Sequence, residues 1–302
     1  MNLTGVLAPV PTPFDDREAL DEQKFKAAFA RWVKSPLTGF VVLGSNGEAA
    51  LLDEDESDRA IAVARDAVPR GRTFLVGTGR ESTHATIRAT QRAAALGADA
   101  VLVRTPGFFK SQMTNDVFVR HYTAVADLSP VPVLLYNFTA VTGVNLQPAA
   151  VARIATHPNV VGMKESGGDL AQIAEIIAST VNPAKAGSYG FRLFAGSGST
   201  FYPSLCAGVA GGILAIANVI PEACVRLFDL VRGGKYDEER DLQKQILPLA
   251  KLLGSNGVAG LKAALKLTGC DVGVPRSPLT PLPEAALAAL KDALASAEKV
   301  AV

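Results

Sequence analysis

The chain has 302 residues, of which 48% are hydrophobic, and its 30 basic and 29 acidic residues leave a formal net charge of +1. This length allows one large core, and the balanced charge argues against nucleic acid or an anionic membrane as a partner. The longest nearly apolar stretch, which begins at Ala207, is too short for a membrane span, and the first residues do not resemble a signal peptide. We therefore expect a soluble cytoplasmic protein.

Cysteine and histidine are rare in this sequence. The 3 cysteines and 3 histidines are dispersed along the chain, without the spacing of a disulfide framework or of a metal site. We expect neither a structural metal nor a bound cofactor.

Short apolar runs recur along the chain, and each is bounded by glycine or proline and followed by a segment of helical period. They occupy residues 5–10, 39–44, 73–79, 99–105, 131–137, 160–165, 191–196 and 210–216. This alternation indicates parallel strands joined by crossover helices, and eight such units close into a (β/α)8 TIM barrel of the α/β class. A doubly wound open sheet is the competing architecture, but the first connection lacks a GxGxxG motif.

The pattern after Ala217 is helical to the end of the chain. Stretches such as EERDLQKQILPLAKLL and PEAALAALKDALASAEK repeat apolar residues at helical spacing. We therefore predict a catalytic barrel over residues 1–217. A C-terminal helical extension over residues 218–302 is expected to pack on the barrel or on a neighbouring subunit.

Candidate catalytic residues lie at the ends of the predicted strands, because the active sites of such barrels lie at the carboxyl ends of the strands. The second strand ends in GSNGE (44–48), the fifth in Tyr136 and Asn137, the sixth in Lys164 and Glu165, and the seventh in AGSGST (195–200).

Lys164 directly follows the apolar run VVGM. A lysine in this place is most often a solvated charge whose stem covers apolar surface. At a barrel mouth, however, desolvation disfavours the ammonium form and frees the amine to attack a ketone. The resulting Schiff base is an electron sink that eases cleavage of a neighbouring carbon–carbon bond.

The other strand ends offer weaker signals. Tyr136 is expected to reach the same space as the lysine and to carry protons, although a half-buried structural tyrosine fits equally well. Glycines in GSNGE let backbone N–H groups converge on an anion, and Ser45 adds a movable proton, but many turns have this composition. Three interpretations fit the AGSGST loop: a phosphate-binding site, a close-packed turn or a substrate contact. We favour a substrate contact without phosphate specificity.

Three of these motifs occur together in one known family. GSNGE, YNFTAVTG and GMKESGGD, in this order and spacing, resemble the pyruvate-dependent class I aldolase family, which includes dihydrodipicolinate synthase and N-acetylneuraminate lyase. The resemblance covers nearly the whole chain, from GVLAPVPTPF to GLKAALKLTGCDVGVPRSPL. It is closest to the 4-hydroxy-2-oxoglutarate aldolase branch, through stretches such as HPNVVGMKESGGD and GGILAIANV.

The resemblance implies a role for each matching residue. Lys164 would form the Schiff base, Tyr136 would relay protons, and Ser45 would be the hydroxyl in that relay. The backbone N–H groups of Ser45 and Asn46 would hold the carboxylate of pyruvate, and Ser166 would touch the far end of a longer substrate. Further substrate contacts are expected at Gly44, Gly196 and Ile213. Such enzymes are usually homotetramers assembled as two tight dimers.

Two departures from the family pattern bear on the reaction. Val141 stands where dihydrodipicolinate synthase carries an arginine for the carboxylate of its second substrate, and valine cannot form that bidentate pair. The paired tyrosines after the fourth strand are Phe108 and Phe109 here, and in many relatives the second one reaches across the dimer into the partner's site. We expect Phe109 to keep that place without donating a proton, so that a water substitutes in the relay.

The sequence therefore predicts a Schiff-base lyase that cleaves a 2-oxo-4-hydroxy acid into pyruvate and an aldehyde. The preferred reaction converts 4-hydroxy-2-oxoglutarate into pyruvate and glyoxylate. A dihydrodipicolinate synthase-like reaction and the cleavage or dehydration of a keto-deoxy sugar acid share the imine and stay open. A sensor that binds keto acids on the same scaffold is the non-enzyme alternative, and the dispersed histidines disfavour a metal-dependent aldolase.

Overall fold

The computed structural model describes residues 3–180 and 190–298. Its parallel strands form a closed eight-stranded barrel in sequential order. The strands are β1 (Gly5–Pro9), β2 (Gly39–Val42), β3 (Thr73–Gly77), β4 (Ala100–Arg104), β5 (Val133–Asn137), β6 (Val160–Glu165), β7 (Arg192–Ala195) and β8 (Gly211–Ile213). Each predicted apolar run contains one strand, which confirms the (β/α)8 TIM barrel.

The barrel closes where β1 pairs with β8, and this pairing excludes an open sheet. Gly5 lies opposite Gly211 in the register, and a Cβ atom on Gly211 would lie 1.9 Å from the backbone oxygen of Gly5. Glycine is therefore required for the two backbones to approach at this seam. β8 is shorter than the predicted run because the chain turns into a short 3-10 helix at Ala215.

Alternate strand residues fill the barrel interior, as the period of two in a strand requires. The interior cluster includes Leu7, Val41, Leu75, Leu102, Leu134, Phe194 and Ile213. Side chains that point outward from the strands join a larger core against the surrounding helices, as Val42, Val76 and Val103 do. Inward-facing residues at the carboxyl ends of the longer strands, such as Tyr136 on β5, therefore lie at the mouth of the barrel.

Helices follow the strands and cover the outside of the barrel, except for the short helix after β5, which lies at the mouth. They are α1 (Glu22–Trp32), α2 (Glu54–Ala67), α3 (Thr83–Ala95), α4 (Asn115–Leu128), α5 (Thr139–Thr142), α6 (Pro148–Ile154), α7 (Leu170–Thr180) and α8 (Phe201–Ala207). Side-chain caps fix the starts of several helices: Asp53 and Glu56 form a capping box at α2, and Ser82 caps α3.

The region after residue 217 forms α9 (Pro221–Arg232), α10 (Tyr236–Leu267) and α11 (Glu284–Glu298). α9 lies against β1 as well as against α10, and α10 also contacts α11. The division of the chain into residues 1–217 and 218–302 stays a prediction. Residues 1–2 and 299–302, at the two ends of the chain, lie outside the described residues. None of the helices in the described part of the chain is long and apolar enough to cross a membrane.

A buried histidine lies between α3 and α4. Nδ1 of His121 is 2.9 Å from Oγ1 of Thr83, and Nε2 has no hydrogen-bond partner among the described residues. Burial lowers the pKa of His121 to about 4, and the positive charge of Arg104 acts in the same direction, while Glu81 opposes them.

We expect this histidine to destabilise the fold in acid. The unfolded chain takes up the imidazole proton near pH 6.5, whereas the folded chain takes it up only near pH 4. Because the folded pKa is depressed, stability is fully present above pH 6.5 and falls as the pH drops towards 4, by at most ~3 kcal/mol. His121→Gln should flatten the slope of the free energy of unfolding against pH in this window.

Urea titrations at several pH values measure that slope. The same variant at about pH 8, where the imidazole is neutral in both states, gives its packing cost alone. A slope that His121→Gln leaves unchanged would contradict the assignment.

Candidate active site

Lys164 and Tyr136 lie side by side at the carboxyl end of the barrel. The two residues are paired in the register of β5 and β6, so both side chains point into the barrel mouth. Each is 4% exposed, and Nζ of Lys164 lies 3.4 Å from the phenol oxygen of Tyr136 and 4.4 Å from its ring centroid. No carboxylate within the described ranges forms an ion pair with this Nζ, and the Tyr136 ring lies beside the amine.

The GSNGE loop after β2 brings a hydroxyl to the same phenol. Oγ of Ser45 lies 3.2 Å from the phenol oxygen of Tyr136, which places the amine, the phenol and the hydroxyl in one row. Among the described residues, no acceptor is bonded to the backbone N–H groups of Ser45 and Asn46. Neighbouring N–H groups without an acceptor are a typical binding site for a carboxylate.

The loop is held in a strained conformation. Leu43 and Glu48, which flank it, have φ angles of 54° and 53°, in the left-handed region that costs a non-glycine residue about 1–2 kcal/mol. The backbone oxygen of Leu43 passes over β3 at Gly77, where a Cβ atom would lie only 1.9 Å away. Strain of this kind persists only where the surrounding structure fixes the backbone.

A buried ion pair supplies part of that support. Nζ of Lys262, on α10, lies 2.7 Å from the Glu48 carboxylate, and both side chains are almost fully buried. The backbone N–H of Arg276 donates to the same carboxylate at 2.8 Å, and Nζ of Lys262 donates to the backbone oxygen of Val274. Burial lowers the pKa of Lys262, and the Glu48 carboxylate opposes that effect. The C-terminal region thereby anchors the loop that carries Ser45.

A second buried network fixes the end of β6. The Glu165 carboxylate accepts hydrogen bonds from Nδ2 of Asn137 at 2.8 Å, from Nε2 of Gln172 at 3.0 Å and from the backbone N–H of Gly167 at 2.5 Å. Burial raises the pKa of Glu165, and the bond from Asn137 is the largest of the opposing effects. Because Glu165 follows Lys164 directly, this network also restricts where the amine can lie.

A cavity of about 830 Å³ opens above Lys164. The candidate residues Ser45, Asn46, Tyr136, Lys164, Ser166 and Gly196 line it together. Oγ of Ser166 is buried and has no hydrogen-bond partner in the described part of the chain. It lies against Gly196, where a Cβ atom would approach it to 1.9 Å, so the glycine leaves room for the hydroxyl at the cavity wall.

Three candidates lie elsewhere. Gly44 is buried and lines a second cavity of about 290 Å³, which lies between the GSNGE loop and the ends of β3 and β4. Ile213 is fully buried in the barrel interior and lines neither cavity, because β8 turns away just above it. Phe109 is 62% exposed, lines neither cavity and packs edge-on against Phe108.

Sequence reasoning missed part of the cavity wall. α10 is broken at Gly257, with φ 52° and ψ −136°, and residues 253–259 line the cavity together with residues 279–283. The letters GSNG at 254–257 repeat those at 44–47, which is a turn signal inside a helical pattern. In the described ranges, no group of three or more histidine, cysteine or acidic residues is arranged to hold a metal.

Comparisons with known proteins agree on one family. The sequence model described as the dihydrodipicolinate synthetase family matches residues 2–297. A 4-hydroxy-tetrahydrodipicolinate synthase of an Exiguobacterium species is 33% identical over 292 residues, covering 96% of this chain and 97% of that protein. A probable mitochondrial 4-hydroxy-2-oxoglutarate aldolase of Emericella nidulans is 35% identical over 294 residues, covering 96% and 93%.

Solved structures show the same fold. Dihydrodipicolinate synthase of Thermotoga maritima superposes with a TM-score of 0.92 at 30% identity, covering 98% of each chain. YagE, a prophage protein of Escherichia coli K12 solved in complex with pyruvate, gives a TM-score of 0.89 at 29% identity, covering 99% of each chain.

The buried ion pair yields a stability prediction. Lys262→Met leaves the Glu48 carboxylate buried without its counter-charge and is expected to lower the free energy of unfolding by about 3–5 kcal/mol. The double variant Glu48→Gln/Lys262→Met removes both charges and is expected to cost less than the sum of the single variants. Urea denaturation of the four proteins measures this coupling.

An exposed ion pair is the matched control. Lys244 and Asp241 lie 3.2 Å apart on α10 with exposed side chains, so Lys244→Met should change the free energy of unfolding by less than about 1 kcal/mol. Additive effects of Glu48→Gln and Lys262→Met would contradict the role assigned to the buried pair.

Proposed function

The chain belongs to the dihydrodipicolinate synthetase family, a family of pyruvate-dependent lyases and aldolases, and we propose that it cleaves 4-hydroxy-2-oxoglutarate into pyruvate and glyoxylate. The observation that carries the proposal is the buried amine of Lys164, 3.4 Å from the Tyr136 phenol. An uncharged amine beside a proton donor is the arrangement that Schiff-base formation needs.

The first step joins Lys164 to the substrate. The amine nitrogen attacks C2 of the 2-oxo acid, and the carbonyl oxygen leaves as water after it has been protonated, which gives an iminium ion. We assign these proton transfers to Tyr136, with Ser45 as the next member of the relay at 3.2 Å. The free N–H groups of Ser45 and Asn46 would hold the C1 carboxylate.

The second step breaks the C3–C4 bond. The phenol oxygen of Tyr136 accepts the C4 hydroxyl proton as its own proton passes towards Ser45. The electron pair of the broken bond moves into the iminium and gives an enamine, and glyoxylate leaves. Protonation of the enamine at C3 and addition of water at C2 then release pyruvate and restore the amine of Lys164.

Relatives named for two different reactions make the second substrate the open question. Synthesis of 4-hydroxy-tetrahydrodipicolinate, the activity named for the Exiguobacterium relative, is the second candidate. The uncharged side chain of Val141 lines both cavities and offers no cation to a second substrate there, which weighs against that reaction.

Ser166, with its free hydroxyl at the cavity wall, is proposed to contact the far end of the substrate.

We also propose that a second copy of the chain covers Phe108 and Phe109, as part of a homotetramer built from two dimers. The two rings are 77% and 62% exposed and their centroids lie 5.1 Å apart. Adjacent exposed aromatic rings are typical of a protein interface. The cytoplasmic location stays a prediction.

Trapping the Schiff base tests the central step. Borohydride added with pyruvate is expected to reduce the imine and fix a pyruvyl mass increment on the peptide that contains Lys164, as detected by mass spectrometry. Lys164→Ala should lose both the adduct and all turnover, while retaining the fold. Lys110→Ala, which removes an exposed lysine, is the control and should retain both. An unsubstituted protein without the adduct would refute the imine mechanism.

The relay makes a separate prediction for turnover. Tyr136→Phe is expected to slow the release of pyruvate from 4-hydroxy-2-oxoglutarate by about 10²–10⁴-fold, because general acid–base catalysis is lost, while the adduct still forms. Tyr122→Phe is the matched control, since its buried hydroxyl donates to the backbone oxygen of Val103, away from the proposed relay.

Equal turnover in Tyr136→Phe and the unsubstituted protein would remove the phenol from the mechanism. Pyruvate binding without any turnover in the unsubstituted protein would favour the sensor hypothesis instead.

A further inference from the structure

Arg104 ends β4 in the same row as the proposed catalytic residues. It pairs with Tyr136 in the register of β4 and β5, and Tyr136 pairs with Lys164 in the register of β5 and β6. Residues paired in this way point to the same side of the sheet, and neighbouring strands lie about 4.8 Å apart. Leu102, two residues earlier, lies in the barrel interior, so Arg104 is the next inward-facing position, at the barrel mouth.

Arg104 lines a second cavity, which adjoins the reaction site. Arg104 and Arg80 line the cavity of about 290 Å³, whose other walls are mostly apolar. Ser45 and Tyr136 line both this cavity and the main one. The two cavities therefore adjoin each other at Ser45 and Tyr136, and Arg104 lines the one on the β4 side.

The guanidinium of Arg104 has unused donors. Nη1 lies 2.7 Å from Oε1 of Glu81 and 3.1 Å from the backbone oxygen of Thr105. In the part of the chain that the structure describes, Nε and Nη2 of Arg104 donate to no acceptor. These two groups form one edge of the guanidinium and match the two oxygens of a carboxylate.

Arg80 differs in this respect, although it lines the same cavity. Its Nε and Nη2 both donate to the Glu54 carboxylate, and its Nη1 donates to the backbone oxygen of Gly79. Gly79 also makes room for the other arginine, since a Cβ atom there would lie 2.6 Å from Cγ of Arg104.

Among the described charged residues that line the two cavities, Arg104 is ion-paired with Glu81 through Nη1 alone and keeps the Nε and Nη2 edge of its guanidinium free. Lys164 is the only charged residue among the described residues that line the main cavity, and the imine consumes its amine. Glu48, in the second cavity, is paired with Lys262. A second carboxylate on the substrate needs a charged or multiple hydrogen-bond partner when it leaves water, and the single hydroxyl of Ser166 does not supply that alone.

We propose that Arg104 binds the distal carboxylate of the substrate through Nε and Nη2, and so selects 2-oxo diacids over 2-oxo acids with an uncharged tail. The inference rests on the proposed Schiff base at Lys164. It also implies that the aldehyde product is acidic, because the carboxylate bound at Arg104 belongs to the part of the substrate that leaves as the aldehyde.

Two acids of equal length test the inference without requiring turnover. 2-Oxoglutarate and 2-oxopentanoate both carry a 2-oxo group, and only the first has a distal carboxylate. The concentration of each acid that gives half-maximal borohydride trapping at Lys164 measures its apparent affinity. Arg104→Gln is expected to weaken trapping of 2-oxoglutarate about 10- to 100-fold and to leave 2-oxopentanoate unchanged. Arg104→Lys, which keeps the charge but loses the fork, should fall between.

Two further variants separate binding from structure. Arg80→Gln is the matched control and should leave the preference between the two acids unchanged. Glu81→Gln removes the carboxylate that holds Nη1 of Arg104 and also accepts the backbone N–H groups of Gly107 and Phe108. If Arg104 acted only by holding Glu81 in place, Glu81→Gln and Arg104→Gln would affect both acids alike.

The outcomes are distinct. Selective loss of 2-oxoglutarate in Arg104→Gln supports the inference. Equal weakening of the trapping of both acids, or no change in either, overturns the inference. If the pyruvate adduct still forms, the proposed function stands in that case. Failure of the unsubstituted protein to form an adduct with pyruvate would overturn the proposed function and the inference together.

Discussion

The site depends on an amine that is kept out of water without a counter-charge. Lys164 is 4% exposed, and its amine donates a hydrogen bond to the Tyr136 phenol. Burial of a polar group without a partner costs free energy, and the amine nitrogen is the atom that attacks the 2-oxo acid in the proposed reaction. Among the described residues no carboxylate is paired with this amine, so the surrounding fold has to impose its position.

Two kinds of support impose it. The register of β5 and β6 aligns the amine with the phenol. The hydrogen bonds that the Glu165 carboxylate accepts fix the end of β6, next to Lys164. The GSNGE loop is held from the opposite side by the ion pair between Glu48 and Lys262. Because Lys262 and the break at Gly257 belong to α10, the C-terminal region completes the site instead of only covering the barrel.

Much of this was predictable from the sequence because the signals are local. Apolar runs at regular spacing give the eight strands, and residues at strand ends in a barrel converge at its mouth, so Lys164 and Tyr136 could be placed together. The period of two could also have indicated Arg104. Contacts between distant segments carry no such signal: Arg276 meets Glu48 from 228 residues away. The substrate contact expected at Ile213 came from the family resemblance, and the short β8 leaves this side chain inside the barrel.

Hydrogen exchange at the pyruvate methyl group tests the central claim most directly. Enamine formation on Lys164 would let the methyl protons exchange with solvent in D2O, which proton NMR follows without any aldehyde partner. The account predicts rapid loss of the methyl signal with the unsubstituted protein and none above background with Lys164→Ala. Exchange at the same rate in both proteins, or in neither, would contradict it.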